Sequence, residues 1–478
     1  GLGAVAILEF ENGEKMIHEN NPFRGYLSSV EPFMHFGLGD KKVKKLEIQW
    51  YNGMSQIILN PKIDQVLEVN IKNALTKTNY ETDLGNQVFE DITDISKLDF
   101  VHKELDFIDF NVQNLIPFKL SELGPGMSVG DINGDNLEDV FLGGGRSYSG
   151  VFFTQNADGT FNIKTLLAQY ELPAKLEEDL GSLLFDADGD NDLDLYVCRG
   201  GSEGRNGDKH FKDILYANDG KGNFVEKPNA IPAFGTSTSC VRASDYDNDG
   251  DLDLFVAGRN VPSEYPKFTD SYLFRNDSKN GDAKFTNVSL PELKNLGLIC
   301  DVLWTDFDND GWMDLLLAGE WSAPRLFKNH KGKLSEVKDT GLENLKGLWT
   351  STNAGDFDND GDMDYVLGNI GLNALFKGNE KEPARVLAKD FDNNGNYDIL
   401  PFVYYINEKK EKFLVPFNGK DDVNKQLNIT RSRFVSYKDF AQANIDNLLT
   451  KDERKDAQDL ELSFMKSVII LNQGGGKF

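Results

Sequence analysis

The chain has 478 residues, too many for a single hydrophobic core, and its 45 glycines and many Asn/Asp turns favour two or more domains built from short strands. The formal net charge of −27 argues against nucleic acid as a partner, because an acidic surface repels phosphate groups. No stretch approaches the roughly 18 consecutive apolar residues that a membrane-spanning helix needs, so we expect the chain not to span a membrane itself.

Six aspartate-rich segments of nine residues, which we call loops 1 to 6, recur along the chain. They read DINGDNLED (131–139), DADGDNDLD (186–194), DYDNDGDLD (245–253), DFDNDGWMD (306–314), DFDNDGDMD (356–364) and DFDNNGNYD (390–398). Their first residues lie 55, 59, 61, 50 and 34 positions apart, and each loop is followed by an apolar run such as VFLGG or LYVCRGG. Most loops are followed by a second signature, as in LYANDGKGNF. It consists of a strand, an Asn/Gly turn and another strand. A unit of about 50 residues with several short strands predicts the blades of an all-β propeller.

Residues 437–462 interrupt this pattern. Apolar residues recur there at helical spacing without turn signals, which predicts a helical insertion in an irregular last blade. The chain ends at Phe478, just after IILNQGGGKF repeats the second signature. We therefore expect the polypeptide to be part of a longer one.

The loop spacing predicts calcium sites. Ca²⁺ binds six to eight oxygen atoms, and side chains at positions 1, 3, 5 and 9 of a tight loop can converge on one ion while position 7 offers its backbone carbonyl. Position 6 should adopt a positive φ, because it is Gly250, Gly311, Gly361 or Gly395 in loops 3 to 6 and Asn136 or Asn191 in loops 1 and 2.

The predicted ligands occupy the five odd positions of every loop. They are Asp131, Asn133, Asp135, Leu137 and Asp139 in loop 1; Asp186, Asp188, Asp190, Asp192 and Asp194 in loop 2; Asp245, Asp247, Asp249, Asp251 and Asp253 in loop 3; Asp306, Asp308, Asp310, Trp312 and Asp314 in loop 4; Asp356, Asp358, Asp360, Asp362 and Asp364 in loop 5; and Asp390, Asp392, Asn394, Asn396 and Asp398 in loop 6.

We expect five to six structural Ca²⁺ ions, with weaker sites in loops 1 and 6, which carry fewer carboxylates. An EF-hand is rejected, because position 12 falls in an apolar strand, as at Val197 and Leu317, where that motif needs a bidentate Glu. Three cysteines, Cys198, Cys240 and Cys300, lie in apolar stretches without a zinc-binding spacing and are predicted to be buried free thiols.

The loops and their strands resemble FG-GAP/VCBS repeats, the blades of integrin α-subunit propellers and their bacterial relatives. The stretch from Gly3 to Val69, with its HFGLG segment and the Trp50-x-x-Gly53 element, resembles an ASPIC/UnbV domain. That domain accompanies such repeats in cartilage acidic protein and in large bacterial surface proteins, and the bridge from Phe89 to Gly130 resembles the bacterial branch. The resemblance implies a calcium-binding β-propeller of about seven blades when complete, preceded by a small β-rich domain.

Three regions follow from this reading. Residues 1–75 form the ASPIC/UnbV-like domain, 76–120 a linker with the first propeller strands, and 121–478 the propeller with its helical insertion. We expect the first domain to be incomplete at its start and the propeller at its end.

The resemblance also suggests where a ligand could bind. In integrin-like propellers the second strand of each blade runs from the calcium loop to the opposite face. Counting along these strands predicts a ligand rim formed by Arg146, Arg199, Arg259, Glu320, Trp321, Trp349 and Asn369. Such a rim suits sugars or a protein partner. The alternative is that these are ordinary rim residues and that Trp349 belongs partly to the core.

Three functions remain open. The first is a non-enzymatic module, secreted or displayed at the cell surface in association with the outer membrane, that serves adhesion or captures a glycan or protein. The second is an accessory subunit of an outer-membrane uptake or secretion complex, docked on a transporter or lipoprotein. The third is a polysaccharide lyase or hydrolase, although the chain has five His and no HExxH or GxSxG motif.

Overall fold

The computed structural model describes residues 1–23, 25–77, 89–168, 175–204, 208–288 and 290–478. The chain divides into two compact units, Gly1–Asp91 and Ile92–Phe478. The first unit thus extends beyond residue 75, where we placed the end of the first domain. Of the predicted linker, residues 78–88 lie outside the described residues.

The first unit contains one antiparallel sheet. Its strands are β1 (Val5–Phe10), β2 (Lys15–Glu19), β3 (Val43–Gln49), β4 (Met54–Leu59) and β5 (Thr76–Lys77), in the spatial order β2-β1-β3-β4-β5. Alternate residues of β1 are buried, including Ala6, Leu8 and Phe10, so one face of this strand packs on a core that also contains Trp50. A turn of 3₁₀-helix, Ile71–Asn73, precedes β5.

The second unit opens with irregular chain and then forms four similar antiparallel blades of four strands each, the fourth of which continues into the fifth blade as one seven-stranded sheet. A short helix α1 (Thr93–Ser96) and a 3₁₀ turn (Asp109–Asn111) come first. Blade 1 contains β6 (Met127–Gly130), β7 (Asp139–Leu142), β8 (Val151–Gln155) and β9 (Phe161–Thr165). Blade 2 contains β10 (Glu178–Phe185), β11 (Asp194–Gly200), β12 (Ile214–Ala217) and β13 (Val225–Glu226). Blade 3 contains β14 (Ser237–Ser244), β15 (Asp253–Asn260), β16 (Tyr272–Asn276) and β17 (Phe285–Asn287). Blade 4 contains β18 (Leu298–Thr305), β19 (Asp314–Ser322), β20 (Arg325–Asn329) and β21 (Leu334–Glu336).

The first strands of successive blades lie next to one another in chain order, as in a propeller. Their backbones approach so closely that a Cβ at Gly181 would lie 2.4 Å from the Ser239 carbonyl oxygen. The second strands of blades 2 to 4 are buried on both faces between neighbouring blades, and every residue of β15 is buried. These strands read as nearly continuous apolar runs because neither face meets solvent.

Blade 5 is assembled from two distant parts of the chain. Strands β22 (Gly347–Gly355) and β23 (Asp364–Asn369) are followed by a long excursion, and the third strand, β28 (Val468–Ile470), comes from the C-terminal segment. The excursion contains a separate sheet, which we call the inserted sheet, made of β24 (Ala384–Lys389), β25 (Asp398–Ile406), β26 (Lys412–Pro416) and β27 (Gln458–Leu462) in the order β26-β25-β24-β27.

This topology corrects our interpretation of loop 6. We placed it in an irregular last blade, but it belongs to the inserted sheet. The 34-residue interval between loops 5 and 6 is short because the chain leaves blade 5 after only two strands. The signature at the C-terminus then supplies the strand that blade 5 lacks.

The helices are all short. They are α2 (Lys420–Gln426), α3 (Thr430–Arg433), α4 (Tyr437–Phe440), α5 (Ile445–Leu448) and α6 (Lys451–Arg454). The predicted helical range 437–462 therefore contains three short helices. Its last part, however, is strand β27, which pairs with β24 in antiparallel register and places Leu462 opposite Ala384. Within the described residues, no helix is long and apolar enough to cross a membrane.

The inserted sheet and its helices form a core with parts of blades 3 and 4. Tyr265, Leu298 and Trp321 from those blades pack with Leu387 and Leu400 of the inserted sheet. The segment before blade 1 joins this core as well. The side chain of Gln113 donates from Nε2 to the carbonyl oxygens of both Tyr265 and Tyr397, each at 2.9 Å. The three cysteines carry free thiols, and those of Cys198 and Cys240 are buried.

Candidate metal centres

Every loop connects the first two strands of its sheet in the same way. The residue just before the loop pairs in antiparallel register with the Asp at position 9. The pairs are Gly130↔Asp139, Phe185↔Asp194, Ser244↔Asp253, Thr305↔Asp314, Gly355↔Asp364 and Lys389↔Asp398. All six loops are therefore hairpin connections of one length, as their sequences predict.

The carboxylate at position 1 organises its own loop. In loop 3, Asp245 Oδ1 accepts from the amide of Asp249, and Oδ2 accepts from that of Gly250, both at 3.0 Å. The bond from the position 6 amide to Oδ2 recurs in all six loops at 2.7–3.1 Å. The amide of position 7 likewise donates to the side chain of position 5 in every loop.

The predicted positive φ at position 6 is confirmed in all six loops: Asn136, Asn191, Gly250, Gly311, Gly361 and Gly395 have φ between 65° and 102°. Position 4 has a positive φ as well, which we did not predict. The signal was present in the sequence, because position 4 is Gly134, Gly189, Asn248, Asn309, Asn359 or Asn393.

The Asp at position 9 is the most buried acidic residue of each loop. Asp139, Asp253, Asp314 and Asp364 are 0% exposed, and Asp194 and Asp398 are 1% exposed. In loop 3, Asp253 accepts at Oδ2 from the amide of Tyr246 at 3.2 Å and at Oδ1 from the amide of Asn276 at 2.8 Å. Burial raises the pKa of Asp194, Asp253 and Asp314 to about 7. A cation nearby would favour the ionised form of these groups.

Carboxylates converge in five of the six loops. Three acidic oxygens lie within 4.8 Å of one another in Asp186/Asp188/Asp194, Asp245/Asp247/Asp249, Asp306/Asp308/Asp314, Asp356/Asp358/Asp360 and Asp390/Asp392/Asp398. Loop 1 has no such acidic triplet among the described residues, and its position 3 is Asn133, whose amide oxygen accepts from the Asp135 amide at 3.0 Å.

Buried oxygens without partners show that the loops suit a cation. Oδ1 of Asp188, Asp247 and Asp392, all at position 3, is buried and has no hydrogen-bond partner. Oδ1 of Asp192 and Asp251, both at position 7, is likewise buried and has no hydrogen-bond partner. A buried carboxylate oxygen without a partner is costly, and a divalent ion at the centre of the loop would satisfy it. Burial, together with the neighbouring carboxylates, raises the pKa of Asp192 and Asp251 to about 6.

An asparagine at the end of the third strand ties each of loops 1 to 4 to the following blade. Asn276 Nδ2 donates to the carbonyl oxygen of Ala187 in loop 2 and to that of Leu252 in its own loop, both at 3.2 Å. The bond to the preceding loop recurs at Asn218, Asn329 and Asn472, at 2.7–2.8 Å. Our sequence reading treated this asparagine only as a turn residue. Its fixed place in LYAN, LFRN, LFKN and IILN was the signal.

The predicted ligand rim requires a correction. Arg259, Glu320 and Trp321 are 3–5% exposed, and Trp349 is fully buried. Arg259 Nη2 pairs with Glu320 Oε1, Glu320 Oε2 accepts from the Tyr265 hydroxyl at 2.7 Å, and Trp321 Nε1 donates to the same hydroxyl at 2.7 Å. These side chains are internal because the inserted sheet and the segment before blade 1 pack against this end of the blades.

The other three predicted rim residues are half-buried. Arg199 Nη2 lies 3.2 Å from Glu177 Oε1, and Asn369 Nδ2 donates to the Phe464 carbonyl at 3.3 Å. Arg146 is also half-buried. The seven residues therefore do not form one exposed ring.

An acidic cluster lies at the end of blade 2 opposite its loop. Glu178 is 2% exposed, and its Oε2 has no hydrogen-bond partner. Burial and the nearby carboxylates of Glu203 and Glu104 raise the pKa of Glu178 well above its ordinary value.

A cleft of about 440 Å³ separates blade 4 from the inserted sheet. Its walls combine apolar and charged side chains, among them Phe268, Pro324, Arg325, Lys338, Lys346 and Glu461. Lys346 Nζ lies 2.8 Å from Glu461 Oε2, which links the two sides.

Comparison with solved structures gives partial likenesses. A protein from Bifidobacterium bifidum s17, assigned provisionally as an exo-β-1,3-galactanase, is 13% identical, with 62% of this chain and 91% of that chain covered and a TM-score of 0.28. The Trypanosoma rangeli sialidase in complex with the inhibitor DANA is also 13% identical, with 64% and 56% covered and a TM-score of 0.29. These TM-scores are too low to support inference. No curated protein sequence matches the chain significantly.

Two family matches agree with the described architecture. Residues 1–76 match the ASPIC and UnbV family, and they include strands β1 to β4 of the first unit and the first residue of β5. Residues 186–256 and 306–367 match the FG-GAP-like repeat, and each range begins at the first Asp of a loop. The chain is an all-β FG-GAP repeat protein with an ASPIC/UnbV domain at its N-terminal end.

Proposed function

We propose that this chain is a non-enzymatic, calcium-binding module that captures a glycan or protein partner outside the cell, at the surface or in association with the outer membrane. The observation that supports calcium binding best is the set of buried, unpartnered carboxylate oxygens in loops 2, 3 and 6. The FG-GAP-like repeats support the same proposal.

In loop 3 the ion would be held by Asp245, Asp247, Asp249 and Asp253, with Asp251 at position 7. Bound Ca²⁺ neutralises the mutual repulsion of these acids and cross-links the two strands that the loop joins. The role is structural, because a loop that fills the coordination sphere leaves no open position for substrate. Rigid loops would in turn fix the neighbouring blades through Asn276 and its counterparts.

The partner would bind in the cleft between blade 4 and the inserted sheet. Its volume is in the range of small-ligand sites, and it offers apolar surface at Phe268 and Pro324 beside charged groups that can hydrogen-bond a sugar or a peptide. This location replaces the predicted rim, most of which is internal.

Thermal unfolding with and without calcium tests the structural role. The melting temperature should fall sharply in EDTA and recover when excess Ca²⁺, but not Mg²⁺, is restored, because stabilisation by a bound ion follows mass action. An unchanged melting temperature after chelation would contradict calcium binding.

A glycan-array screen in Ca²⁺ tests the binding role. We expect a carbohydrate hit whose affinity falls in Lys338→Ala, in the cleft, and is retained in Lys333→Ala, on an exposed turn of the same blade. Equal behaviour of the two variants would contradict the location. Release of reducing ends from a bound polysaccharide would contradict the non-enzymatic proposal.

A further inference from the structure

Loop 4 differs from the other loops because a lysine side chain enters it. Lys328, in β20 just before Asn329, places Nζ 2.5 Å from Asp308 Oδ1 and 2.6 Å from Asp310 Oδ2. The same nitrogen lies 3.9 Å from Asp314 Oδ1. These carboxylates occupy positions 3, 5 and 9, so the ammonium group lies where the predicted calcium ligands converge.

The oxygen at position 3 makes the difference clear. In loops 2, 3 and 6 the buried Oδ1 at this position has no partner, whereas in loop 4 Asp308 Oδ1 accepts from Lys328. The Lys328 side chain is only 11% exposed, and its Nζ lies 5.4 Å from the centre of the Phe307 ring, which further favours a cation there.

The corresponding residue of the other blades does not enter a loop. It is Thr154, Ala217, Arg275 or Leu471 in blades 1, 2, 3 and 5. Arg275 is the only other basic residue of this set, and it directs Nε to Asp277 Oδ1, outside loop 3, at 2.9 Å. Loop 4 also has four carboxylates at its odd positions, where loops 2, 3 and 5 have five, because position 7 is Trp312.

We propose that Lys328 is a built-in cation of loop 4, which holds this loop together without Ca²⁺ and excludes the ion from it. The proposal rests on calcium binding by the other loops. An ammonium group supplies three hydrogen-bond donors and one positive charge, and a divalent ion could enter only by displacing it. Blade 4 would then remain ordered at calcium concentrations that leave its neighbours unloaded.

Terbium luminescence can report on loop 4, because Trp312 lies inside it and its amide donates to Asp310 Oδ1 at 3.0 Å. Tb³⁺ replaces Ca²⁺ in oxygen sites and emits when a nearby tryptophan is excited. The experiment compares the wild-type chain with Lys328→Gln, each with and without Trp312→Phe, under tryptophan-selective excitation. Loop 5 touches loop 4 through the hydrogen bond from Asn309 to Asp362, so an ion in loop 5 gives the wild-type chain a baseline of Trp312-dependent emission. That part of the emission should rise several-fold above this baseline in Lys328→Gln, where loop 4 itself takes the ion.

Two further variants separate charge from general damage. Lys328→Arg keeps a positive charge and should remain closed to the ion, and Lys333→Gln removes an exposed lysine from the same blade and should behave as wild type. Calorimetric titration should find one more Ca²⁺ per chain in Lys328→Gln than in wild type. The melting temperature of Lys328→Gln should fall further in EDTA than that of the wild-type chain, because loop 4 then has neither the lysine nor an ion.

Equal Trp312-dependent emission and equal calcium stoichiometry in the wild-type chain and Lys328→Gln would overturn the role of Lys328 while leaving the proposed function intact. Absence of calcium binding in both proteins would contradict the proposed function as well, because the lysine would then have no ion to replace.

Discussion

The two ends of the blades differ in how far their contacts repeat from one blade to the next. At the loop end, one arrangement recurs: a position 9 Asp is buried, and in blades 2 to 5 an asparagine from the third strand donates to the preceding loop. At the opposite end, blade 2 has the cluster around Glu178, whereas blades 3 and 4 share the Arg259–Glu320 ion pair. Repetition is found where the same loop hydrogen bonds fix the chain, and variety where each blade meets a different neighbour.

The ion pair at the variable end should give the largest effect of a single substitution. Arg259→Leu leaves Glu320 charged and buried, so we expect the free energy of unfolding to fall by about 3–5 kcal/mol. The double variant Arg259→Leu/Glu320→Leu should be less destabilised than Arg259→Leu alone. Urea denaturation measures both.

The matched control is Lys425→Leu, which breaks an exposed ion pair with Asp422 at 3.1 Å. Its cost should be about 1 kcal/mol or less. Equal losses of unfolding free energy from the buried and the exposed ion pair would contradict the burial of Arg259 and Glu320.

Asp253→Ala in loop 3 tests the end of the blades that carries the repeated aspartate loops. The substitution removes an oxygen ligand and leaves the amides of Tyr246 and Asn276 without their acceptor, which should lower the free energy of unfolding by about 3 kcal/mol in Ca²⁺. The loss should be smaller in EDTA, where no ion binding remains to be lost. An equal loss of stability in both buffers would mean that Asp253 does not bind calcium. Glu292→Ala, at an exposed site, serves as the control.

The link between neighbouring loops should contribute less. Asn276→Ala leaves the carbonyl oxygens of Ala187 and Leu252 without this donor, and we expect a loss of about 1–2 kcal/mol in urea denaturation. Asn287→Ala, at an exposed site in β17 of the same blade, should change stability by about 0.5 kcal/mol or less. If Asn287→Ala is as damaging as Asn276→Ala, the asparagine has no special role between blades.

The smallest effect is a gain at the variable end. Burial and the neighbouring carboxylates raise the pKa of Glu178 above its ordinary 4.5 in the folded protein, so the stabilisation that its protonated form contributes is complete below pH 4.5 and is lost as the pH rises through the raised pKa. Glu178→Gln cannot ionise, so its melting temperature should exceed that of wild type by about 2 °C or more at pH 8 and match it near pH 4. A variant less stable than wild type at pH 8 would contradict the protonated state; exposed Glu226→Gln should change neither value.

Sequence predicted the repeated end because its constraints are local. The spacing of acids, the Gly or Asn at position 6 and the flanking apolar runs all lie within about 15 residues of each other, and the structure confirms the positive φ at Gly250 and Asn191. The asparagine link was overlooked because its acceptor, such as Ala187 for Asn276, lies 89 residues away in the chain.

The variable end could not be predicted by counting along strands. Glu320 and Trp321 fall at the expected strand end, but whether a strand end faces solvent depends on what packs over it. Here Gln113 and the inserted sheet do so, and their contacts join residues more than 150 positions apart in the chain. The C-terminal strand of blade 5 was concealed for the same reason, because its partner β23 precedes the whole inserted sheet.

Anomalous diffraction from crystals grown in Ca²⁺ tests the calcium sites most directly. We expect a calcium peak enclosed by the odd positions of loops 2, 3 and 5, weaker peaks in loops 1 and 6, and the Lys328 ammonium in place of a peak in loop 4. Aspartate loops that keep these backbone turns but show no anomalous density would contradict it.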